Sequence, residues 1–410
     1  MWDFRGANTK EYTHCFHNYP AMMIPQIARE LLNRYGIKNG SLLDPYCGTG
    51  TSLVESSLFG MNSVGCDINP LARLLSSSKT TTISIQKLDS ISNDLNDYLY
   101  ECMFTEIDPS QLSEYIPDVL NIDYWFEEDT KNKLAIIRKF ILSYNENETK
   151  VRNFLWSSFS ETVRECSYTR NSEFKLYRMA KEKMKDFTPD VFDIFQKKIK
   201  RNMDGLKVYM KNKKDVDVVI SDSNTSKGEF PSRKPDGGFD LVITSPPYGD
   251  SQTTVAYGQF SRLSSDWIGL PNSRKIDGMC MGGDKHIENL NSFPTNKAIK
   301  NICSVDEKRS KQVESFYTDL KHSINTVASL LSETSIVCYV VGNRRVKGFT
   351  LPTDEFVAYA FSLHGFSHKE TIVRNIPNKR MPKKNSPTNV TGKTDTTMNE
   401  EYIVICQRQL

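Results

Sequence analysis

The chain has 410 residues, 53 of them Lys or Arg and 50 Asp or Glu, for a net charge of +3. With 38% hydrophobic and 25% charged residues it can bury a substantial core, while the near-balance of charge excludes a globally basic nucleic-acid binder and leaves room only for local basic patches. No run approaches the ~18 apolar residues of a membrane helix, the N-terminus has no apolar signal core, and the nine cysteines include no CxxC pair, which together predict a cytoplasmic chain with no membrane partner, disulfide framework or zinc site.

The first segment of interest is Thr13-His14-Cys15-Phe16-His17-Asn18-Tyr19-Pro20-Ala21, which precedes a predicted helix. Its histidines lack a carboxylate or cysteine at ligand spacing, so they read as structural or hydrogen-bonding residues rather than metal ligands. SLLDPYC (41–47) then reads as a strand running into the turn Asp44-Pro45-Tyr46-Cys47-Gly48-Thr49-Gly50-Thr51 and a helix. Gly48 and Gly50 permit backbone conformations and close approaches that side chains block, and the turn presents N–H groups at a helix N-terminus, where an anion is favoured. The segment matches neither GxxxxGK[ST] nor GxGxxG, so the nucleotide-triphosphate and NAD signatures are absent.

NSVGCDIN (62–69) reads as a second strand followed by the helical PLARLLSSS, which makes a β-α-β unit with parallel pairing. The strand ends at Asp67, about 20 residues past the glycine turn, where an acidic side chain is placed to bind ribose hydroxyls. A helix N-cap before Pro70 is the structural alternative.

Residues 85–214 change character: they are poor in Gly, and apolar residues such as Leu134, Ile137 and Ile141 recur at helical spacing. This stretch reads as a mainly helical insertion. It closes on a run from Lys197 to Lys214 with eight basic residues and Asp204 the acidic one within it, read as a solvated helix face in preference to a phosphate-binding patch.

Strand signals return at VDVVISDS (216–223), which ends near Asp222, and at FDLVITSPP (239–247). Asp222 could accept from an adenine amino group or simply form a turn with Ser223 and Asn224. The segment Ser245-Pro246-Pro247-Tyr248 cannot continue a central ladder, so the chain leaves the sheet there. The Ser245 hydroxyl and the Pro246 carbonyl are then outward acceptors, with no competing N–H from either proline. Such acceptors suit a substrate amino group: they orient it and turn its lone pair toward an electrophile. Tyr248 adds a face for stacking a base taken out of its helix. After this motif come a polar stretch from 269 to 304 and another from 376 to 393, both read as long loops, with strands at SIVCYVVGN, KETIVRN and EYIVICQR between and beyond them. Between Thr371 and Lys393 lie six basic residues and no acidic one, Arg374, Lys379, Arg380, Lys383, Lys384 and Lys393, which predicts phosphate contacts centred on Lys379, Arg380, Lys383 and Lys384.

THCFHNYPA, LLDPYCGTGT, GCDINP and TSPPYGD resemble the successive motifs of the DNA amino-methyltransferases, the enzymes that make N4-methylcytosine or N6-methyladenine. The resemblance is anchored at residues 13–70 and 216–260. It implies an α/β, Rossmann-like methyltransferase fold: a mostly parallel seven-stranded sheet with helices on both faces, here carrying the helical insertion. It implies S-adenosyl-L-methionine as cofactor, with Asp44, Gly48 and Gly50 at its methionine end, Asp67 on its ribose and Asp222 on its adenine; Tyr46, Thr49, Thr51, Ile68, His17 and Tyr19 complete the expected cofactor site. Ser245, Pro246, Pro247 and Tyr248 become the catalytic set. Residues 1–84 and 215–410 form the two parts of the catalytic domain, and 85–214 is the candidate target-recognition region. The expected partner is double-stranded DNA and, in a restriction-modification setting, a cognate endonuclease acting on the same site. Ser at the first position of the catalytic motif points to cytosine N4 ahead of adenine N6. An RNA guanine-N2 methyltransferase ranks next, set back by the short stretch before the glycine turn, and a non-catalytic nucleic-acid-binding protein ranks last, because both motifs are intact.

Overall fold

Strand pairs of adjacent apolar residues decide the centre of the molecule. In a strand, neighbouring side chains point to opposite faces, so a run of consecutive apolar residues is buried on both sides. Leu42, Leu241 and Ile403 point into one core, and their successors Leu43, Val242 and Val404 into another. The structure, a computed structural model of the chain, describes residues 2–105, 108–170, 173–251, 253–376, 384–385, 395–396 and 399–409. The sheet comprises β1 (Ser41–Asp44), β2 (Asn62–Cys66), β3 (Val218–Ser221), β4 (Phe239–Thr244), β5 (Leu331–Val341), β6 (Phe366–Asn375) and β7 (Glu400–Arg408). These seven strands pair in the order β3-β2-β1-β4-β5-β7-β6. The pairs β1–β2, β1–β4, β2–β3 and β4–β5 are parallel, while β7 runs antiparallel to both β5 and β6. The expected α/β fold with a mostly parallel seven-stranded sheet is therefore present.

The main helices are α1 (Pro25–Tyr35), α2 (Thr51–Phe59), α3 (Pro70–Thr80), α4 (Ile85–Phe104), α5 (Glu128–Ser143), α6 (Thr149–Glu165), α7 (Val191–Asn212), α8 (Tyr257–Ile268), α9 (Asn296–Val305), α10 (Glu307–Ser329) and α11 (Thr353–Ser362). Helices α1 and α2 cover one sheet face through Ile27, Leu31 and Leu53. Helices α10 and α11 cover the other through Phe316, Leu320 and Phe356. Helices α4 to α7 occupy the inserted stretch. They pack with α3, α8 and the N-terminal Phe16 and Tyr19 into one continuous core that includes Phe154, Phe159, Phe195 and Trp267, so the insertion is built onto α3 and α8.

Two expectations are corrected. The stretch 269–304, read as loop, contains most of α9, which buries Ala298, Ile299 and Ile302; an apolar repeat this short, flanked by polar residues, is too brief to stand out as a helical period. Arg374, counted in the C-terminal basic patch, is only 4% exposed in β6 and is ion-paired with Glu401, because the cross-strand register of β6 and β7 sets the two residues opposite each other. The patch residues Lys379, Arg380 and Lys383 and the side chain of Lys384 lie outside the described residues. In the Lys197–Lys214 run, Lys198 and Arg201 pair with Glu161, Lys197 with Asp193 and Lys207 with Asp89, in keeping with a helix face engaged within the protein. Among the described residues no helix is long and apolar enough to cross a membrane.

Candidate active site

The strand order reverses between β1 and β4. Loops leaving the C-terminal ends of these strands therefore diverge and leave a crevice, the place where open α/β sheets bind ligands. A cleft partly open to solvent occupies it. Its walls come from the strand ends: Asp44 to Thr49 after β1, Asp67 to Asn69 after β2, Ser223 to Ser226 after β3, and Ser245 and Pro247 after β4. Tyr19 to Met23, Tyr257 and Met279 to Met281 close it from outside the sheet.

The two glycines of the first turn serve different ends. Both hold left-handed backbone, with φ of 50° at Gly48 and 79° at Gly50. A Cβ on Gly48 would meet nothing within 4 Å, so the cleft is open at that point; a Cβ on Gly50 would meet Ser76 of α3 at 3.0 Å. Gly48 thus keeps the cleft clear, while Gly50 lets α2 and α3 approach each other and does not itself line the cleft.

Asp67 follows β2 and accepts the Gly48 N–H at 3.0 Å and the Asn69 N–H at 2.8 Å. It is not the cap of α3: that is Asn69, whose side chain accepts from the Leu71 N–H at 3.1 Å. Asp67 is left facing the cleft with lone pairs to spare. Asp44 is more enclosed, accepting from the Thr244 hydroxyl at 2.6 Å, the Tyr46 N–H at 3.1 Å and the Ser52 hydroxyl. It ties β1 to β4 and α2 at the base of the cleft. Burial lifts both carboxyls from the ordinary range to about 6.

Thr49, Thr51, Tyr46 and Ile68 all line the cleft as expected. The Tyr46 hydroxyl is held by Ser323 of α10. Behind Thr49 stands a residue that sequence reasoning missed, the buried Lys79 of α3, which donates to the Thr49 hydroxyl at 2.8 Å. Burial pulls its ammonium down to about 7. Together with the N-terminus of α2 it makes this end of the cleft favourable to a carboxylate.

On the outer wall, Tyr19 stacks on Tyr257 with ring centroids 6.2 Å apart. Asn69 donates to the Tyr19 hydroxyl at 2.8 Å and to Ser261 at 2.7 Å, joining the N-terminal segment to α3 and α8. His17 is not in the lining. It is buried behind Tyr19 and against Phe260, with ring centroids 6.4 Å and 6.2 Å away, and burial pushes it down to about 3, which keeps it neutral. His14 has a carboxylate partner that spacing could not reveal: its Nε2 lies 2.8 Å from Glu55. Asp222 is exposed and outside the lining, which at this strand end is formed by Ser223 to Ser226.

The segment Ser245–Tyr248, expected to be catalytic, follows β4. Ser245 and Pro247 line the cleft, Pro246 is buried and Tyr248 is half-buried. The Ser245 hydroxyl lies 3.4 Å from the Tyr248 hydroxyl, a long contact, and Tyr248 donates to Glu401 of β7 at 3.0 Å. Glu401 is gripped in turn by Arg374, which also donates to the Trp2 carbonyl at 3.1 Å. Asp250 anchors the next turn of chain, accepting from Thr253 at 2.8 Å and pairing with Arg309 and Arg344 at 3.3 Å and 3.4 Å.

These groups fit S-adenosylmethionine. The opening at Gly48 allows close approach of a ligand, Asp67 offers a carboxylate for vicinal hydroxyls, and the Lys79 end favours a carboxylate. The Tyr19–Tyr257 faces suit a sulfonium cation.

A family model described as UPF0020, RMKL-like, methyltransferase domain, matches residues 10–99. The chain is 40% identical over 429 residues to the type II methyltransferase M.MvaI of Kocuria varians, an alignment that covers 99% of this chain and 93% of that protein. It is 28% identical over 202 residues to the type II methyltransferase M.MjaII of Methanocaldococcus jannaschii, covering 48% of this chain and 34% of that one. Among solved structures, the rRNA methyltransferase aviRa of Streptomyces viridochromogenes aligns with a TM-score of 0.34 at 10% identity, over 96% of this chain and 88% of that one, a likeness too weak to bear on function.

Proposed function

The chain belongs to the S-adenosylmethionine-dependent type II DNA methyltransferase family, and within it we propose that the protein methylates the N4 amino group of a cytosine in a specific double-stranded DNA site. Membership implies S-adenosylmethionine as the methyl donor; when bound, it supplies an electrophilic methyl group on a sulfonium. The observation that carries the reading is that Ser245 and Pro247, after β4, open onto the same cleft as Gly48 and Asp67, after β1 and β2.

The amino group of a base is a weak nucleophile because its lone pair is delocalised into the ring. In our reading the Ser245 hydroxyl and the Pro246 carbonyl accept its two N–H bonds and turn the lone pair toward the donor side of the cleft. Tyr248 presents its ring to the base turned out of the duplex. Asp44, Tyr46, Gly48, Thr49 and Thr51 hold the methionine end of the cofactor, with Lys79 behind them. Asp67 and Ile68 hold the ribose, and the Ser223–Ser226 wall, in place of the exposed Asp222, takes the adenine. Residues 85–214 are our candidate for target recognition, and the acid-free stretch around Lys379 to Lys384 for phosphate contact. A companion endonuclease of a restriction-modification system is the partner this function would have.

Ser245 at the head of the motif favours cytosine N4 over adenine N6. Mass spectrometry of nucleosides after reaction of DNA and of RNA with labelled cofactor tests the assignment. N4-methylcytosine in DNA is the expected product. N6-methyladenine would move the target to adenine, and methylated guanosine from RNA alone would overturn the reading.

A further inference from the structure

Two of the six histidines of the chain converge on one carboxylate from segments far apart in sequence. His286 and Glu288 stand on the stretch that follows the cleft residue Met281, and His322 stands on α10. Nε2 of His322 lies 2.7 Å from a Glu288 carboxylate oxygen, and Nε2 of His286 lies 3.8 Å from the same oxygen. One ligand atom from each of the three residues fits within 4.8 Å of the others. Around a tetrahedral zinc ion bonded at ~2.0–2.1 Å, donor atoms sit about 3.3 Å apart, so modest side-chain rotation brings all three to bonding distance. The imidazole rings lie side by side, with centroids 5.9 Å apart and planes tilted by 43°.

The surroundings already hold Glu288 in register with His322, while the His286 side chain is 57% exposed. Gly282 N–H donates to Asp319 at 2.8 Å and Glu288 N–H to Thr318 at 3.1 Å, which docks the stretch on α10. Lys321 takes the other Glu288 oxygen at 2.8 Å and leaves the first one turned toward the imidazoles; such outer partners orient metal ligands.

We infer that His286, Glu288 and His322 form a binding site for a borderline-soft divalent cation of the Zn(II) type, outside the methyl-transfer cleft. Two neutral imidazoles and one carboxylate are a donor set that such ions take, with water completing the coordination. Binding replaces the hydrogen bond between His322 and Glu288 by two bonds to the ion, and the neutral His322 ring then carries its proton on Nδ1, the nitrogen that does not face the ion. The ion fastens the far end of a segment whose near end, Met279 to Met281, is cleft wall. The site is independent of which base is methylated.

Calorimetric titration of the full, tag-free, chelator-treated chain with zinc chloride tests it. One Zn(II) per chain at micromolar or tighter affinity is expected, with the Tm rising as zinc is added. His286→Gln and His322→Gln should each weaken binding at least about tenfold, and Co(II) should give the visible absorption of a four- or five-coordinate ion in the unaltered chain but not in the variants. Absence of saturable binding at micromolar zinc would overturn the site. So would equal affinity in the double variant, which would move the ion to the cysteines and leave His322 and Glu288 as a plain hydrogen bond.

Discussion

The Tyr248 hydroxyl donates to the Glu401 carboxylate at 3.0 Å, which ties the Ser245–Tyr248 segment after β4 to a strand that lies two places away in the sheet. Glu401 is itself held by the buried Arg374, so the tyrosine ring is set by a charge-assisted bond to an immobile acceptor. Hydrogen bonds of that kind are worth roughly 1.5–3 kcal/mol.

Tyr248→Phe keeps the ring and removes this bond together with the long contact from the Ser245 hydroxyl. Single-turnover methyl transfer should fall roughly ten- to a hundredfold, in line with that energy, while cofactor affinity stays within about twofold. Removing Glu401 instead would strand the Arg374 charge, which typically costs about 3–5 kcal/mol of stability; thermal unfolding should show that loss in Glu401→Ala and not in Tyr248→Phe. Equal transfer rates in Tyr248→Phe and the unaltered enzyme would deny the bond any positioning role.

Asp67 sets a pH dependence. Burial raises it, with Asp44, to about 6. The folded chain therefore keeps protons between about 4 and about 6 that the unfolded chain has released. These two carboxyls favour the folded state most below pH about 4, and that contribution is lost as pH rises through about 6. Cofactor binding runs the other way, since a ribose hydroxyl donates to the ionised carboxylate. Affinity for S-adenosylhomocysteine should fall as pH drops from 7 to 5, and Asp67→Asn should bind weakly throughout with a flatter profile. A pH-independent affinity in the unaltered protein would show that Asp67 does not meet the ribose in its ionised form.

The glycines of the first turn separate binding from folding. A Cβ at position 48 points into open cleft, whereas one at position 50 meets Ser76 at 3.0 Å. Gly48→Ala should lower cofactor affinity at least about tenfold with the modest strain, roughly 1 kcal/mol or more, of a left-handed alanine. Gly50→Ala adds the collision to the same strain and should show the larger drop in Tm. If Gly50→Ala proved the more stable of the two, the two glycines would not divide binding and folding between them in this way.

The strands, the glycine turn and the departure of the chain from the sheet at Ser245–Tyr248 are legible in the sequence, because each is a local pattern: apolar runs ending in Gly, Asp or Pro-Pro at the point where the chain must leave the sheet. It could not foresee what tertiary pairing alone creates. Tyr19, Asn69 and Ser261 meet across separations of 50 and 192 residues, and Tyr248 meets Glu401 across 153. The same limit explains why Arg374 reads as a free cation in the sequence, why nothing there singles out Lys79, and why His14 shows no carboxylate partner. His17, expected at the cofactor, instead supports the wall from behind.

The acid-free stretch that holds Lys379, Arg380, Lys383 and Lys384 should contribute sequence-independent affinity for DNA. Neutralising all four should weaken specific and non-specific DNA alike and reduce the slope of log affinity against log salt by about 0.9 for each phosphate that is no longer neutralised. Filter binding across a salt series measures that slope; an unchanged value would remove these residues from the interface.

The division of the cleft into a cofactor half and an amine-orienting half is tested most directly by Ser245→Ala, with S-adenosylmethionine affinity and single-turnover transfer to DNA measured on one preparation. Removing one preorganised acceptor should slow transfer by about 10²–10³ and leave cofactor affinity within about twofold, because the groups assigned to the cofactor stand after β1, β2 and β3. Transfer at the unaltered rate, or a loss of cofactor binding in step with activity, would contradict the account.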